Sequence, residues 1–279
     1  MDTTITTLIE DRPGSDSRLK TEHGVSFLIE RDDTTVLFDT GQSGLFLSNA
    51  GHLGKDLATV DHVVISHGHY DHTDGFPYLV DAIPAKYTLH VHRDLFHPKY
   101  AAENGNLRYI GPSWDEGWAR MQGFPVEPVS GNGCTIAPGI HIVTGFERTH
   151  PLEVANPRFV VHRPGTVGTE IDDFHDEVSL VIEVDGGIVV LVGCSHPGIM
   201  NMISTITARY NAPILAILGG THLIEAKGER LDEAVTFLSE NETIRLGLSH
   251  CTGDEAMSRL EKASQRFYRN NTGSVLSLP

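Results

Sequence analysis

Apolar positions along this chain fall into two rhythms. In the first half they come in short runs broken by glycine, proline or paired acids, the pattern of strands and tight turns. Residues 3–10 alternate enough for an edge strand ending at Asp11-Arg12-Pro13-Gly14. Residues 25–30 and 35–39 flank a turn at Asp32-Asp33 and predict an antiparallel hairpin. A short helix over 45–53, a strand over 61–65, a helix from 73 to 80 and a strand over 88–92 follow. Residues 97–123, with Pro98, Gly105, Gly111, Pro112, Trp114 and Trp118, have weak periodicity and read as an insertion: a lid, or a contact between copies in a homo-oligomer. Short strands return over 126–143, and a second hairpin turns at Gly186-Gly187. Beyond it helix and strand alternate: helix 199–210, strand 213–218, helix 231–240, strand 243–248 and helix 254–267.

Where these strands stop, the chemistry begins. The apolar run Val63-Val64-Ile65 leads directly into Ser66-His67-Gly68-His69-Tyr70-Asp71-His72-Thr73. Imidazole and carboxylate groups at this density suit a zinc-like ion, and a solvated loop has no need of them. Gly68 lets the loop bend so that both flanking rings turn inward. Three later strands each end on a histidine loop: Gly193-Cys194-Ser195-His196, Gly219-Gly220-Thr221-His222 and Ser249-His250-Cys251. Four such loops at one end of a sheet would converge on one site.

Composition narrows the partners. The 279 residues include 37 acidic against 21 basic side chains, a formal charge of -16, which disfavours nucleic acid and anionic membrane. No apolar run is long enough to cross a bilayer, and the N-terminal residues lack the form of a signal peptide, so a cytoplasmic location is expected. Cys134, Cys194 and Cys251 are too few and too scattered for a disulfide framework. The 16 histidines fit a chain built around metal.

His-x-His-x-Asp-His at the end of a strand resembles the signature of the metallo-β-lactamase superfamily. The stretches 22–30, 37–43, 193–199, 219–223 and 250–253 resemble a branch that includes dihydropterin–ribofuranosylaminobenzene phosphate synthases and many unassigned hydrolases. The resemblance implies an α/β (α+β) fold, a four-layer αβ/βα sandwich formed as one domain over 1–279, with metal at one edge between two sheets. It implies His67 and His69 on one ion and Asp71 and His72 on a second. His196 is expected to complete the first set and His250 the second, with one or two ions, Zn2+ foremost and Mn2+ or Fe2+ as alternatives. Asp39 would orient a ligand histidine, or act as a turn residue before Thr40-Gly41. The chain departs from the wider pattern at Cys194, where a bridging Asp is usual; Cys194 is a thiolate ligand or a small buried hydrophobe. The usual earlier histidine has only His150, His162 and His175 as candidates.

Around this centre, Asp71 would hold the attacking water or shuttle its proton, and His222 would stand beside the ligands or on the substrate side. Arg148 could clamp a phosphate or carboxylate, and His92 at a strand end is a further substrate-side candidate. His90 and His92 otherwise read as partly exposed strand residues, and the acidic block 170–177 as a solvated loop. The leading function is a metal-dependent hydrolase acting on an ester or phosphoester of a small molecule. The alternatives are a transferase releasing diphosphate from a dihydropterin diphosphate, and a non-catalytic metal or ligand sensor on the same fold.

Overall fold

Side-chain alternation in the strands sorts the core into three layers. The computed structural model describes residues 2–83 and 86–278. One seven-stranded sheet runs, in spatial order, Val275–Leu278, Thr3–Ile9, Ser26–Arg31, Thr34–Phe38, His62–Val64, Thr88–His92 and Val126–Val129. The other runs Phe267–Arg269, Arg245–Ser249, Ile214–Gly220, Gly187–Val192, Ser179–Val184, Ile140–Val143 and Gly133–Ala137. Phe27, Ile29, Val36, Phe38 and Val64 of the first sheet meet Leu180, Ile182, Val189, Leu191 and Leu218 of the second in one buried cluster. Their neighbours Leu28, Leu37 and Val63 point the opposite way, as a period of two requires, and pack under Phe46, Phe76 and Leu79 of helices Leu45–His52 and Phe76–Ala82. On the far side Ile188, Val190 and Ile217 pack under Met202, Leu231 and Leu260 of helices Ile199–Tyr210, Glu229–Ser239 and Asp254–Ala263. This is the four-layer αβ/βα order, with each buried aliphatic or aromatic side chain contributing about 1.5–3 kcal/mol.

Strand direction then positions the loops. Gly187–Val192, Ile214–Gly220 and Arg245–Ser249 are parallel neighbours, so the loops bearing His196, His222 and His250 leave one edge. Thr34–Phe38 and His62–Val64 are also parallel, and Asp39 and the His67 loop leave together.

Two expectations need correction. Strand Thr3–Ile9 is not an edge strand, because Val275–Leu278 pairs outside it, Thr3 against Leu278; nothing local reveals a partner at the far end of the chain. The helix expected from 73 begins earlier, as a short turn Tyr70–Thr73 inside the histidine loop, followed by Phe76–Ala82. Residues 97–123, expected as a lid or a contact between copies, are built into the fold. Lys99–Glu103 and Asn106–Tyr109 join Phe159–Val161 and Glu170–Ile171 in a third, four-stranded sheet, and helix Glu116–Met121 packs Ala119 into the core.

Candidate metal centre

In two of the loops, those of His67–His72 and of His250, hydrogen bonds decide which ring nitrogen is free. Ser66 Oγ donates to Asp39 Oδ2 at 2.7 Å, so His67 Nδ1, 2.9 Å from Ser66 Oγ, donates to that hydroxyl. His72 Nδ1 donates to the same carboxylate at 2.6 Å, and His250 Nδ1 donates to Asp11 Oδ1 at 2.8 Å. A proton on Nδ1 leaves a lone pair on Nε2, the arrangement by which carboxylates orient ligand histidines. Asp39, buried and at φ +59, also accepts the Ser66 N–H at 2.7 Å, tying the end of one strand to the next loop. Asp39→Ala is expected to weaken metal binding about 10- to 100-fold, measured by competition with a chromogenic chelator.

The free nitrogens converge. Donor atoms of His67, His69 and His196 lie within 4.8 Å of one another, as do those of Asp71, His72 and His250 and those of His67, His72 and Cys194. Nε2 of His67, His69, His196 and His250 are buried without a hydrogen-bond partner. Unpaired buried nitrogens are costly, and cations of the zinc class would satisfy them, one beside His67, His69 and His196 and another beside His250, His72 and Asp71. Burial above all pushes the His67, His69 and His196 rings well below the usual imidazole range, with Asp71 opposing it at His69 without reversing it, so they are neutral donors. Burial would lower His250 too, but Cys251, Asp11 and Asp71 outweigh it and favour positive charge there, a charge that a bound cation would supply in place of the Nε2 proton. Asp71 Oδ2 lies 3.2 Å from His250 Nε2 and 3.6 Å from His72 Nε2. Against burial, these rings hold its carboxyl well below the ordinary range. The residues present therefore fit a divalent transition ion. The His196 ring is fixed by stacking on Phe174 at 3.8 Å between centroids.

The acidic block is not a solvated loop. Asp172, Asp176 and Glu177 are buried: Asp172 and Asp176 hold Lys99 Nζ at 2.7 and 2.9 Å, and Asp176 accepts the Gly68 N–H at 2.7 Å. Gly68 has no room for a side chain, because a Cβ would meet the Leu95 carbonyl at 2.2 Å. Glu177, pushed up to about 8 by burial, accepts the backbone N–H groups of Cys194, Ser195 and His196 and so shapes the second histidine loop.

The other expected residues divide. His222 joins the site, lining the same cavity as His69, Asp71, Cys194, His196 and His250, of about 260 Å³. Arg148 and His92 do not line it; they line another, and the Arg148 guanidinium donates to the Asp173 carbonyl. His90 and His92 are buried rather than partly exposed, with His90 Nε2 3.0 Å from His62 Nδ1. His150, His162 and His175 belong to none of the donor groups among the described residues. Sequence reading missed Asp11, His23 and Cys251, and the arginines Arg108 and Arg158 at the cavity mouth. Asp11 sits in a turn and its partner His250 lies 239 residues away, so no local signal marked it.

An αβ/βα sandwich with clustered metal donors at the strand ends defines the class of protein. Residues 19–198 match the family model of the metallo-beta-lactamase superfamily, and the chain belongs to that superfamily. It is 27% identical, over 98% of this chain and 95% of the relative, to the 7,8-dihydropterin-6-methyl-4-(beta-D-ribofuranosyl)-aminobenzene-5'-phosphate synthase of Methanocaldococcus jannaschii. A second protein of that organism, uncharacterized, is 29% identical over 92% of this chain and 94% of its own length. Among solved structures, Tm1679, described as a metal-dependent hydrolase of the beta-lactamase superfamily, superposes with a TM-score of 0.83 at 30% identity, covering 98% of both chains.

Proposed function

We propose that this chain is a metallo-hydrolase that cleaves an ester or phosphoester bond in a phosphorylated small molecule, with Zn2+ as its preferred ion. His67, His69 and His196 would hold one ion, and Asp71, His72 and His250 the other. The observation that carries this reading is the set of unpartnered Nε2 atoms meeting under a cavity of small-molecule size. When bound, such ions supply Lewis-acid polarisation and a nucleophile at neutral pH.

The chain's own groups would do the rest. Asp71, held ionised, is a poor proton acceptor; its carboxylate instead accepts a hydrogen bond from the attacking water and aims it. Phe159 and Ile110 line the cavity and would give the substrate an apolar wall. Arg158 is engaged by Glu103 at 2.8 Å and by Glu225, while Arg108 pairs with Glu103 at 3.2 Å. These guanidinium groups can turn from exposed carboxylates, whose pairing is worth little, to a substrate phosphate, which Arg binds bidentately. Arg158→Ala is expected to lower kcat/KM for a phosphorylated substrate roughly 10- to 100-fold, chiefly through KM, since a charge-assisted hydrogen bond is worth about 1.5–3 kcal/mol.

The likeness to the synthase along 98% of the chain favours a second reading, a transferase releasing diphosphate. A panel of phosphomonoesters, phosphodiesters and carboxylic esters, assayed with apo and zinc-loaded protein, separates the two. Metal-dependent turnover of a single substrate supports the hydrolase. Diphosphate release only when dihydropterin diphosphate and the aminobenzene ribophosphate are both present supports the transferase.

A further inference from the structure

Beyond the two histidine sets, the cavity wall carries a group of soft donors. Cys194, His222 and Cys251 have their sulfur and ring-nitrogen atoms within 4.8 Å of one another, and all three line the cavity. Both cysteines are buried and free. Neither ring nitrogen of His222 has a hydrogen-bond partner.

The backbone around these donors is built to hold them. His222 at φ +45, His250 at φ +52 and Ser195 at φ +62 put one non-glycine residue of each loop in left-handed backbone, which is uncommon and collects at functional sites. Ser195 Oγ donates to the Gly220 carbonyl at 2.8 Å, and Thr221 Oγ1 to Thr252 Oγ1 at 3.1 Å, fastening the three loops to one another. The backbone N–H of His222 points at Cys251 Sγ, 3.3 Å away, and that sulfur also lies 3.6 Å from the Cys194 carbonyl oxygen. Gly220 leaves the space: a Cβ there would meet Cys251 Sγ at 2.6 Å.

We propose that Cys194, His222 and Cys251 form a further cation site, for a thiophilic divalent ion of the zinc class, on the inner wall of the cavity. It rests on the metal-centre reading only through Cys194, whose sulfur also faces His72 Nε2 at 3.2 Å and can bridge two ions. Two thiolates and an imidazole select zinc-like ions over magnesium or manganese, and three protein donors leave one coordination position open to the cavity. His222 then serves as a ligand rather than a substrate contact.

The test is cobalt titration of reduced, air-free protein in a Cys134→Ser background, which removes the exposed thiol. The unaltered site should give a near-ultraviolet sulfur-to-cobalt charge-transfer band from two thiolates, besides the visible bands of the histidine sets. Cys251→Ser should reduce the charge-transfer band by half and leave the visible bands of the histidine sets. His222→Ala should weaken cobalt binding at this site by more than about tenfold. X-ray absorption at the zinc edge of the wild-type protein needs no variant and should show a sulfur shell at ~2.3 Å beside the nitrogen and oxygen shell of the histidine sets. A charge-transfer band unchanged in Cys251→Ser, or visible bands without any charge-transfer band, overturns the thiolate site alone. Absence of both kinds of band overturns the metal centre and this site with it.

Discussion

Replacing His196 with alanine is expected to remove one ion per chain and lower turnover by more than about 100-fold, the upper range for loss of a group that merely orients a ligand. On the proposed assignment His196 contributes the third nitrogen to the set of His67 and His69. Two imidazoles alone leave the ion short of the three protein ligands usual at catalytic zinc. The fold should survive. The loop backbone is held by Glu177 through three N–H groups, not by the His196 ring. Metal analysis beside steady-state kinetics checks this. Full metal content and unaltered kinetics in His196→Ala would sink the assignment.

Lys99→Met carries the largest expected effect on stability. Lys99 is 2% exposed, and its ammonium is shared by the buried carboxylates of Asp172 and Asp176. Removing it leaves two uncompensated acids in the interior, a loss of about 3–5 kcal/mol, or roughly 6–20 °C in Tm. Asp176 also anchors the Gly68 N–H, so the variant should bind metal less tightly as well. Adding Asp172→Asn and Asp176→Asn to Lys99→Met should restore much of the Tm, since no buried charge is then left alone. Calorimetry of the single and triple variants decides it. An unshifted Tm in Lys99→Met would mean that the cluster is solvated after all.

What could be read from the sequence was whatever depends on neighbours along the chain. Val63-Val64-Ile65 followed by His67, His69, Asp71 and His72 announced both a strand and a cluster of metal donors. The histidines at the ends of three strands pointed to one edge, because a parallel β–α–β alternation puts successive strand ends on the same side. Partners far apart in the chain stayed invisible. Asp11 meets His250 and Glu10 Oε1 accepts its N–H, contacts made only once the first and last strands pair. The acidic block 170–177 read as solvated because its counter-charge, Lys99, lies in a different element about 70 residues earlier. Arg108 and Arg158 reach the cavity mouth from separate strands of the small third sheet and its connection. Nothing in their flanking residues distinguishes them from Arg148, which faces the Asp173 carbonyl instead.

The most direct test of the proposed chemistry is the fate of water oxygen. Zinc-loaded protein turning over a phosphoester in heavy-oxygen water should place one heavy oxygen in a product per turnover, and the incorporation should stop when a chelator strips the metal. Unlabelled products, with diphosphate released only in the presence of both a dihydropterin diphosphate and an aminobenzene ribophosphate, would contradict the hydrolase.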